Sequence, residues 1–233
     1  SLRESDLEVR EVQLFNEINH AFLFDYVDIE DLPKISKIIR ETICEASPET
    51  KISTSIIAGN LNDMISKGLM KESVLEFLDK HEAVLKNSVD TISVDYYPGV
   101  WHKPFIGKAN DLEPLKQVFE KLAGWGIDYE LGESGLPTNT PYSNEKKQRG
   151  FYDIFLRGLR TMMIDFESRG IKLPKQIGLY ETQDENNTTF GGIVEKILRL
   201  PLMNKIMRMS PNPEADFGLM KETGEKKEIL KGN

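Results

Sequence analysis

The sequence predicts an α/β fold of the (β/α)-barrel type, and three observations point there. Apolar, strand-like runs alternate with stretches of helical periodicity, and strand starts near residues 9, 51, 89, 127 and 175 recur at roughly 40 residues, the length of a βα unit with its loops. Polar and acidic residues gather where those strands end, as at the active face of a barrel. Asn16-Glu17-Ile18-Asn19-His20 follows the first strand, where a doubly wound nucleotide-binding sheet carries a glycine-rich phosphate turn.

Val9 to Phe15 is a short apolar-rich run of the kind a buried parallel strand needs. After the acidic start Asp28-Ile29-Glu30-Asp31, residues Ile35, Ile38, Ile39 and Ile43 recur at helical spacing. Lys51 to Ala58 is β-branched, with Ile52, Thr54, Ile56 and Ile57, and ends at Gly59-Asn60. Val74, Phe77, Leu78, His81 and Leu85 mark the next helix, and Val89 to Tyr97 a strand closed by Pro98-Gly99. Leu112, Leu115, Phe119 and Leu122 mark a helix that stops at Gly124; Ile127 to Leu131 is a strand. A long helix is predicted from about Asn144 to Glu167, with Phe151, Phe155, Leu159, Met162, Met163 and Phe166 on its buried face. Lys175 to Tyr180 is a fifth strand, Ile193 to Met209 a final helix, and Thr223-Gly224 a hairpin turn in the tail.

A chain of 233 residues suits one α/β-barrel domain or two small domains, and the regular alternation favours a single domain over 1–233. The net charge of −8 argues against nucleic acid and anionic membrane as partners, since both need a basic face. A neutral sugar polymer is indifferent to it. Cys44 is the only cysteine, so no intrachain disulfide forms. No apolar run approaches the ~18 residues of a membrane span. Ser1-Leu2-Arg3-Glu4-Ser5-Asp6 carries no signal-peptide pattern, so the expectation is a soluble protein, cytoplasmic or secreted. The three histidines are scattered without ligand spacing, and no metal or other cofactor is expected.

Two strings end in glutamate at strand ends: Val12-Gln13-Leu14-Phe15-Asn16-Glu17 and Ile127-Asp128-Tyr129-Glu130-Leu131-Gly132-Glu133. Each has a bland reading. A strand-end glutamate is usually a solvated loop charge, and Glu133-Ser134-Gly135-Leu136-Pro137 reads equally as a plain turn. Tyr96-Tyr97-Pro98 reads alone as an aromatic strand end. Taken in order and three βα units apart, the strings are more specific. Asn16-Glu17 resembles the Asn-Glu pair of clan A glycoside hydrolases, and Gly132-Glu133-Ser134-Gly135-Leu136-Pro137 looks like that clan's second catalytic segment. Asp90-Thr91-Ile92-Ser93-Val94-Asp95-Tyr96-Tyr97-Pro98 is similar to its sixth strand, and Asp216-Phe217-Gly218-Leu219-Met220 to a closing segment of several members.

The resemblance implies a TIM-type (β/α)8 barrel in which Glu17 follows strand four and Glu133 follows strand seven. It implies a retaining glycoside hydrolase acting on a β-linked oligo- or polysaccharide. Glu17 would be the general acid/base and Glu133 the nucleophile. Asn16 would bind the sugar 2-hydroxyl, and Tyr96 or Tyr97 would hydrogen-bond the nucleophile and favour its charged form. Such chemistry needs one ionised and one protonated carboxyl about 5–5.5 Å apart. Trp101 and His102 are the candidate sugar platforms. His20 contacts a sugar hydroxyl or is an ordinary loop histidine. Tyr180 and Glu181 stand where many members of the clan place a tryptophan under the sugar. On this numbering the barrel lacks its first three βα units, which a separate segment, another chain or a second copy would supply. The alternative function is a catalytically inactive, barrel-derived carbohydrate-binding or interaction protein.

Overall fold

A computed structural model describes residues 9–20, 28–44, 47–59, 72–98, 109–136 and 144–179. Strands β1 (Glu11–Gln13), β2 (Lys51–Ile57), β3 (Thr91–Asp95) and β4 (Asp128–Glu133) form one sheet in the order β1-β2-β3-β4. β1 pairs parallel with β2, and β2 parallel with β3. Beyond β4, Lys175 N donates to Tyr129 O at 2.8 Å and Leu131 N to Gln176 O at 3.1 Å, with a parallel bridge between Leu131 and Ile177. The expected fifth strand is therefore present as a short bridge. Spatial order repeats chain order throughout. A barrel progresses this way, whereas a doubly wound sheet reverses direction at a switch point.

By its contacts the chain divides into two compact units. The first comprises Ser1–Tyr96, Glu113–Gly132 and Met163–Ile177; the second comprises Tyr97–Leu112, Glu133–Met162 and Gly178–Asn233.

In the first unit the register separates the sheet into two faces. Val12 with Ile52, Thr54 with Ile92, and Ile56 with Val94 share one side. Its isoleucines and valine on β2 and β3 are almost fully buried. The second side carries Gln13 with Ser53, Ser53 with Thr91, Ser55 with Ser93, and Ile57 with Asp95. Apart from the exposed Gln13 it is equally buried, yet, Ile57 excepted, it is built of small hydroxyls and a carboxyl. Glu130 joins it through hydrogen bonds with Ser93 and Gln176, and burial raises its carboxyl above the ordinary value. Lys175 Nζ donates to Thr91 Oγ1 at 3.1 Å and pairs with Asp128 at 2.8 Å.

The helices start and stop for local reasons. A 3-10 turn (Ile29–Asp31), capped by Asp28 Oδ1 on Glu30 N at 3.1 Å, leads into α1 (Leu32–Cys44). The buried stripe of α1 runs through Leu32 and Ser36, and Ile38 is 53% exposed. The helical spacing predicted there is right, but its face is rotated away from Ile38. α2 (Val74–Ser88) opens on a capping box, in which Ser73 Oγ accepts from Glu76 N at 3.2 Å and Glu76 Oε2 from Ser73 N at 2.9 Å. α3 (Glu113–Trp125) buries Leu115, Val118, Phe119 and Leu122, and Phe119 meets Tyr129 of β4 at 4.9 Å between ring centroids. It stops at Gly126, with φ 76°, and runs through Gly124, where its end was expected. Of these two glycines, Gly126 alone takes the left-handed geometry that terminates a helix. α4 (Glu145–Ser168) begins after Asn144, whose Oδ1 accepts from Lys147 N at 3.0 Å. The expected helix Ile193 to Met209 and the tail turn lie outside the described residues.

Candidate active site

β1 leads directly into the first carboxylate. The ladder continues past Gln13: Leu14 N donates to Ser53 O at 2.8 Å, Ser55 N to Phe15 O at 2.9 Å, and Ile18 N to Ser55 O at 2.9 Å. Residues 16 and 17 leave the strand while their neighbours on both sides stay bonded to β2. The chain accommodates this by placing Glu17 at φ 49°. Left-handed backbone costs an L side chain roughly 1–2 kcal/mol, and it persists only where the surroundings determine it. Ser55 is part of those surroundings. Its Oγ accepts from Glu17 N–H at 2.7 Å and donates to Asn16 Oδ1 at 3.0 Å. Gln13 Nε2 donates to the same Oδ1 at 3.1 Å. With both donors on Oδ1, the Asn16 amide turns its NH2 end away from Ser55 and Gln13.

The turn after Glu17 is held just as firmly. Asn19 is 2% exposed and pairs with both backbone groups of Ile57: Nδ2 donates to Ile57 O at 2.9 Å, and Oδ1 accepts from Ile57 N at 2.8 Å. A side-chain amide thus takes a strand residue's place in the ladder. His20 N donates to Glu17 O at 2.7 Å. The His20 ring is half-buried, and burial lowers its pKa below the ordinary imidazole value, so it is neutral at pH 7.

In the second unit, the Tyr97 hydroxyl donates to Glu133 Oε2 at 2.5 Å. That length is typical of a hydroxyl on a carboxylate. Glu133 is the last residue of β4 and is half-buried. The turn that follows it is buried, with Ser134 at 0% and Leu136 at 3% exposure. Gln148, in the first turns of α4, donates Nε2 to Leu136 O at 2.8 Å and ties this turn to the helix. Phe151 stacks on Phe155 at 5.4 Å behind it. In the first unit, the residue just before Glu133 is a constraint of its own. A Cβ on Gly132 would lie 1.9 Å from Ser93 Oγ and 2.8 Å from Asp95 Oδ1, so only glycine fits.

Among the expected site residues, Asn16, Glu17 and His20 thus fall in one segment, the first two bonded through Ser55 and His20 to Glu17 O, and Tyr97 falls on Glu133. Tyr96 is 1% exposed. Trp101, His102, Tyr180 and Glu181 lie outside the described residues. Ser55, Asn19 and Gln148 were not singled out by sequence. The alternation of Ser53 and Ser55 with Ile52, Thr54 and Ile56 is the one signal that marks a polar face there. Among the described residues, no group of three His, Cys, Asp or Glu side chains is arranged to hold a metal ion. No helix among them is long and apolar enough to cross a membrane.

The profile of glycosyl hydrolase family 53 matches residues 1–184. Comparison with curated protein sequences gave no match. Among solved structures, the chain is similar to the Ignisphaera aggregans GH53 catalytic domain, with a TM-score of 0.54 at 14% identity over 94% of this chain and 57% of that one. It is also similar to the Bacteroides uniformis beta-glucuronidase, with a TM-score of 0.55 at 10% identity over 93% and 22%. A putative beta-galactosidase from Bacteroides fragilis gives 0.52 at 13% identity over 94% and 26%. These likenesses, with the sequential parallel sheet, show a TIM-barrel fold of which this chain is a part. The chain spans 57% of the GH53 domain and less than a third of the two larger enzymes.

Proposed function

The chain belongs to glycosyl hydrolase family 53, and on that premise we propose that it carries the two catalytic carboxyls of a retaining glycoside hydrolase acting on a β-linked oligo- or polysaccharide. Glu133 is the nucleophile and Glu17 the general acid/base. The observation that carries this reading is the Tyr97 hydroxyl on Glu133 Oε2 at 2.5 Å, because a strand-end nucleophile must be held in one orientation. The strained backbone of Glu17 supports the second assignment.

In the first step a Glu133 oxygen attacks the anomeric carbon. The bond to the leaving oxygen breaks, and that oxygen takes the proton from Glu17. A glycosyl ester of Glu133 results. In the second step Glu17, now a carboxylate, takes a proton from water, whose oxygen attacks the anomeric carbon and releases Glu133. Asn16 binds the sugar 2-hydroxyl through its NH2 end. His20 contacts a neighbouring hydroxyl as a neutral imidazole. Trp101, His102, Tyr180 and Glu181 complete the sugar-binding set, while Tyr96, at 1% exposure, packs in the interior and is not part of it. The strands β1 to β4 and the segment 175–177 take positions four to eight of the barrel, so positions one to three precede β1 or come from another chain.

The test is turnover of β-glycosides by the full natural polypeptide and its variants. Glu133→Gln should abolish turnover. Glu17→Gln should slow cleavage of substrates with poor leaving groups by about 10²- to 10⁴-fold, the usual contribution of a positioned general acid. If the full polypeptide cleaves no glycoside and Glu133→Gln leaves saccharide binding unchanged, the reading is wrong.

A further inference from the structure

Ser55 sits on β2 and belongs to neither catalytic string, yet all of its polar groups are engaged by the segment that carries Glu17. Its N–H donates to Phe15 O at 2.9 Å, and its carbonyl accepts from Ile18 N at 2.9 Å. Its hydroxyl accepts from Glu17 N at 2.7 Å and gives its one proton to Asn16 Oδ1 at 3.0 Å. The side chain is 1% exposed, so water does not compete for these bonds. The two residues the hydroxyl touches leave the ladder, and one of them stands at φ 49°.

We infer that Ser55 is a positioning residue for the acid/base step: its hydroxyl locks Glu17 and Asn16 into one rigid pair, so that the carboxyl and the amide address the same sugar. The inference rests on the reading of Glu17 as acid/base. A backbone in the left-handed region has a more populated alternative at negative φ, and rotation of Glu17 towards it would turn its N–H away from Ser55 and re-aim its Cα–Cβ bond, and with it the carboxyl. The Glu17 N–H bond blocks that rotation. The Asn16 bond makes the block depend on the residue that senses the sugar. Ser55 touches no reacting atom and acts only through its two neighbours.

Thr54 provides an internal control. It is 0% exposed, and its Oγ1 donates to Phe15 O at 3.1 Å, a bond of similar burial onto the same segment that misses residues 16 and 17. A merely structural role would make Ser55→Ala and Thr54→Val behave alike. The full natural polypeptide is assayed on the β-glycoside it cleaves, with a sugar leaving group and with 2,4-dinitrophenolate, which departs without a proton. Ser55→Ala should lower kcat/KM, which reports the first step, for the sugar leaving group by about 10- to 100-fold, part of the general-acid contribution. The kcat/KM of the dinitrophenyl substrate should change by less than about 3-fold. Thr54→Val should leave the ratio of the two rates at its wild-type value. If Glu17→Gln shows the leaving-group split and Ser55→Ala does not, Ser55 has no such role. If Glu17→Gln shows no split, the acid/base reading fails first. A second measurement stands apart from catalysis: amide hydrogen exchange at Glu17, compared with Leu14, whose N–H is bonded to Ser53. Ser55→Ala should lose at least about tenfold protection at Glu17 while Leu14 keeps its own. Equal protection at Glu17 in both proteins overturns the inference whatever the activity.

Discussion

The Tyr97 hydroxyl donates to Glu133 Oε2 at 2.5 Å, from a side chain that is 8% exposed. The donor lies two residues past the end of β3, and the acceptor ends β4. Two successive βα units thus deliver the two partners. Hydrogen bonds to charged groups contribute about 1.5–3 kcal/mol. Tyr97→Phe keeps the ring and its packing and removes only the donor. It should lower kcat/KM by about 10- to 100-fold, with the melting temperature nearly unchanged. Steady-state kinetics beside thermal unfolding checks this. A Tyr97→Phe protein with wild-type kcat/KM would show that the bond does not serve the nucleophile.

Gly132 makes the sharpest steric prediction. Its hypothetical Cβ falls 1.9 Å from Ser93 Oγ, 2.8 Å from Asp95 Oδ1 and 3.2 Å from Ser93 Cβ. Gly132→Ala must displace one of them, at a cost of about 1–3 kcal/mol or more. Ser93→Ala removes the worst contact and leaves the other two, so rescue should be partial. Ser93→Ala also takes a hydrogen bond from the buried Glu130, so it destabilises by itself. A double-mutant cycle in urea should therefore give a coupling of about 0.5–3 kcal/mol in the favourable direction. Strict additivity would mean the strand shifts to make room.

The two faces of the sheet explain what was legible in the sequence. Strands rich in β-branched and aromatic residues are legible even where one face is polar, so β2, β3 and β4 stand out, and α4 lies within a residue of its predicted bounds. The glutamates were legible because short motifs place them at strand ends. Ser55, Asn19 and Gln148 were not. The first two reach the chain 38 or 39 residues away, and Gln148 reaches 12 residues back to Leu136, so no local pattern announces any of the three. Gly124 and Gly126 show the same limit at short range. Both are helix-stop residues by type, and only the backbone at 126 takes positive φ.

His81 predicts a pH dependence of stability that is separate from catalysis. It is 5% exposed and packs on Phe77 at 5.0 Å between ring centroids. Burial, helped by the Lys80 charge, lowers its pKa below 6.5; Glu72, Glu30 and Asp28 act the other way without overcoming this. The unfolded chain therefore takes up a proton at a higher pH than the folded one. The stability this confers is complete above about pH 6.5 and is lost as pH falls through the lower, folded value, at no more than about 1.4 kcal/mol per pH unit. His81→Phe should flatten that acid limb between about pH 6.5 and 5 in urea titrations. An unchanged limb would assign the acid loss to other groups.

Asn19 joins the candidate site to the sheet, and its removal should separate folding from chemistry. Its amide satisfies both the N–H and the C=O of Ile57, a residue that is 4% exposed at the end of β2. Asn19→Leu is close in volume and leaves both backbone groups without that partner. At about 1–3 kcal/mol for each of the two buried unsatisfied groups, the loss should be roughly 2–6 kcal/mol. Asn19→Asp keeps the acceptor for Ile57 N but sets a carboxylate oxygen against Ile57 O and buries a charge, so it should cost at least as much as Asn19→Leu at neutral pH. Activity should follow a different order. The Ile18 to Ser55 ladder bond and the Ser55 hydroxyl still hold Glu17 in both variants, so kcat per folded molecule should drop less than in Ser55→Ala. Active-site titration on samples of known folded fraction measures this. A larger drop in kcat for Asn19→Leu than for Ser55→Ala would place the control of Glu17 in the turn after it, and not on β2.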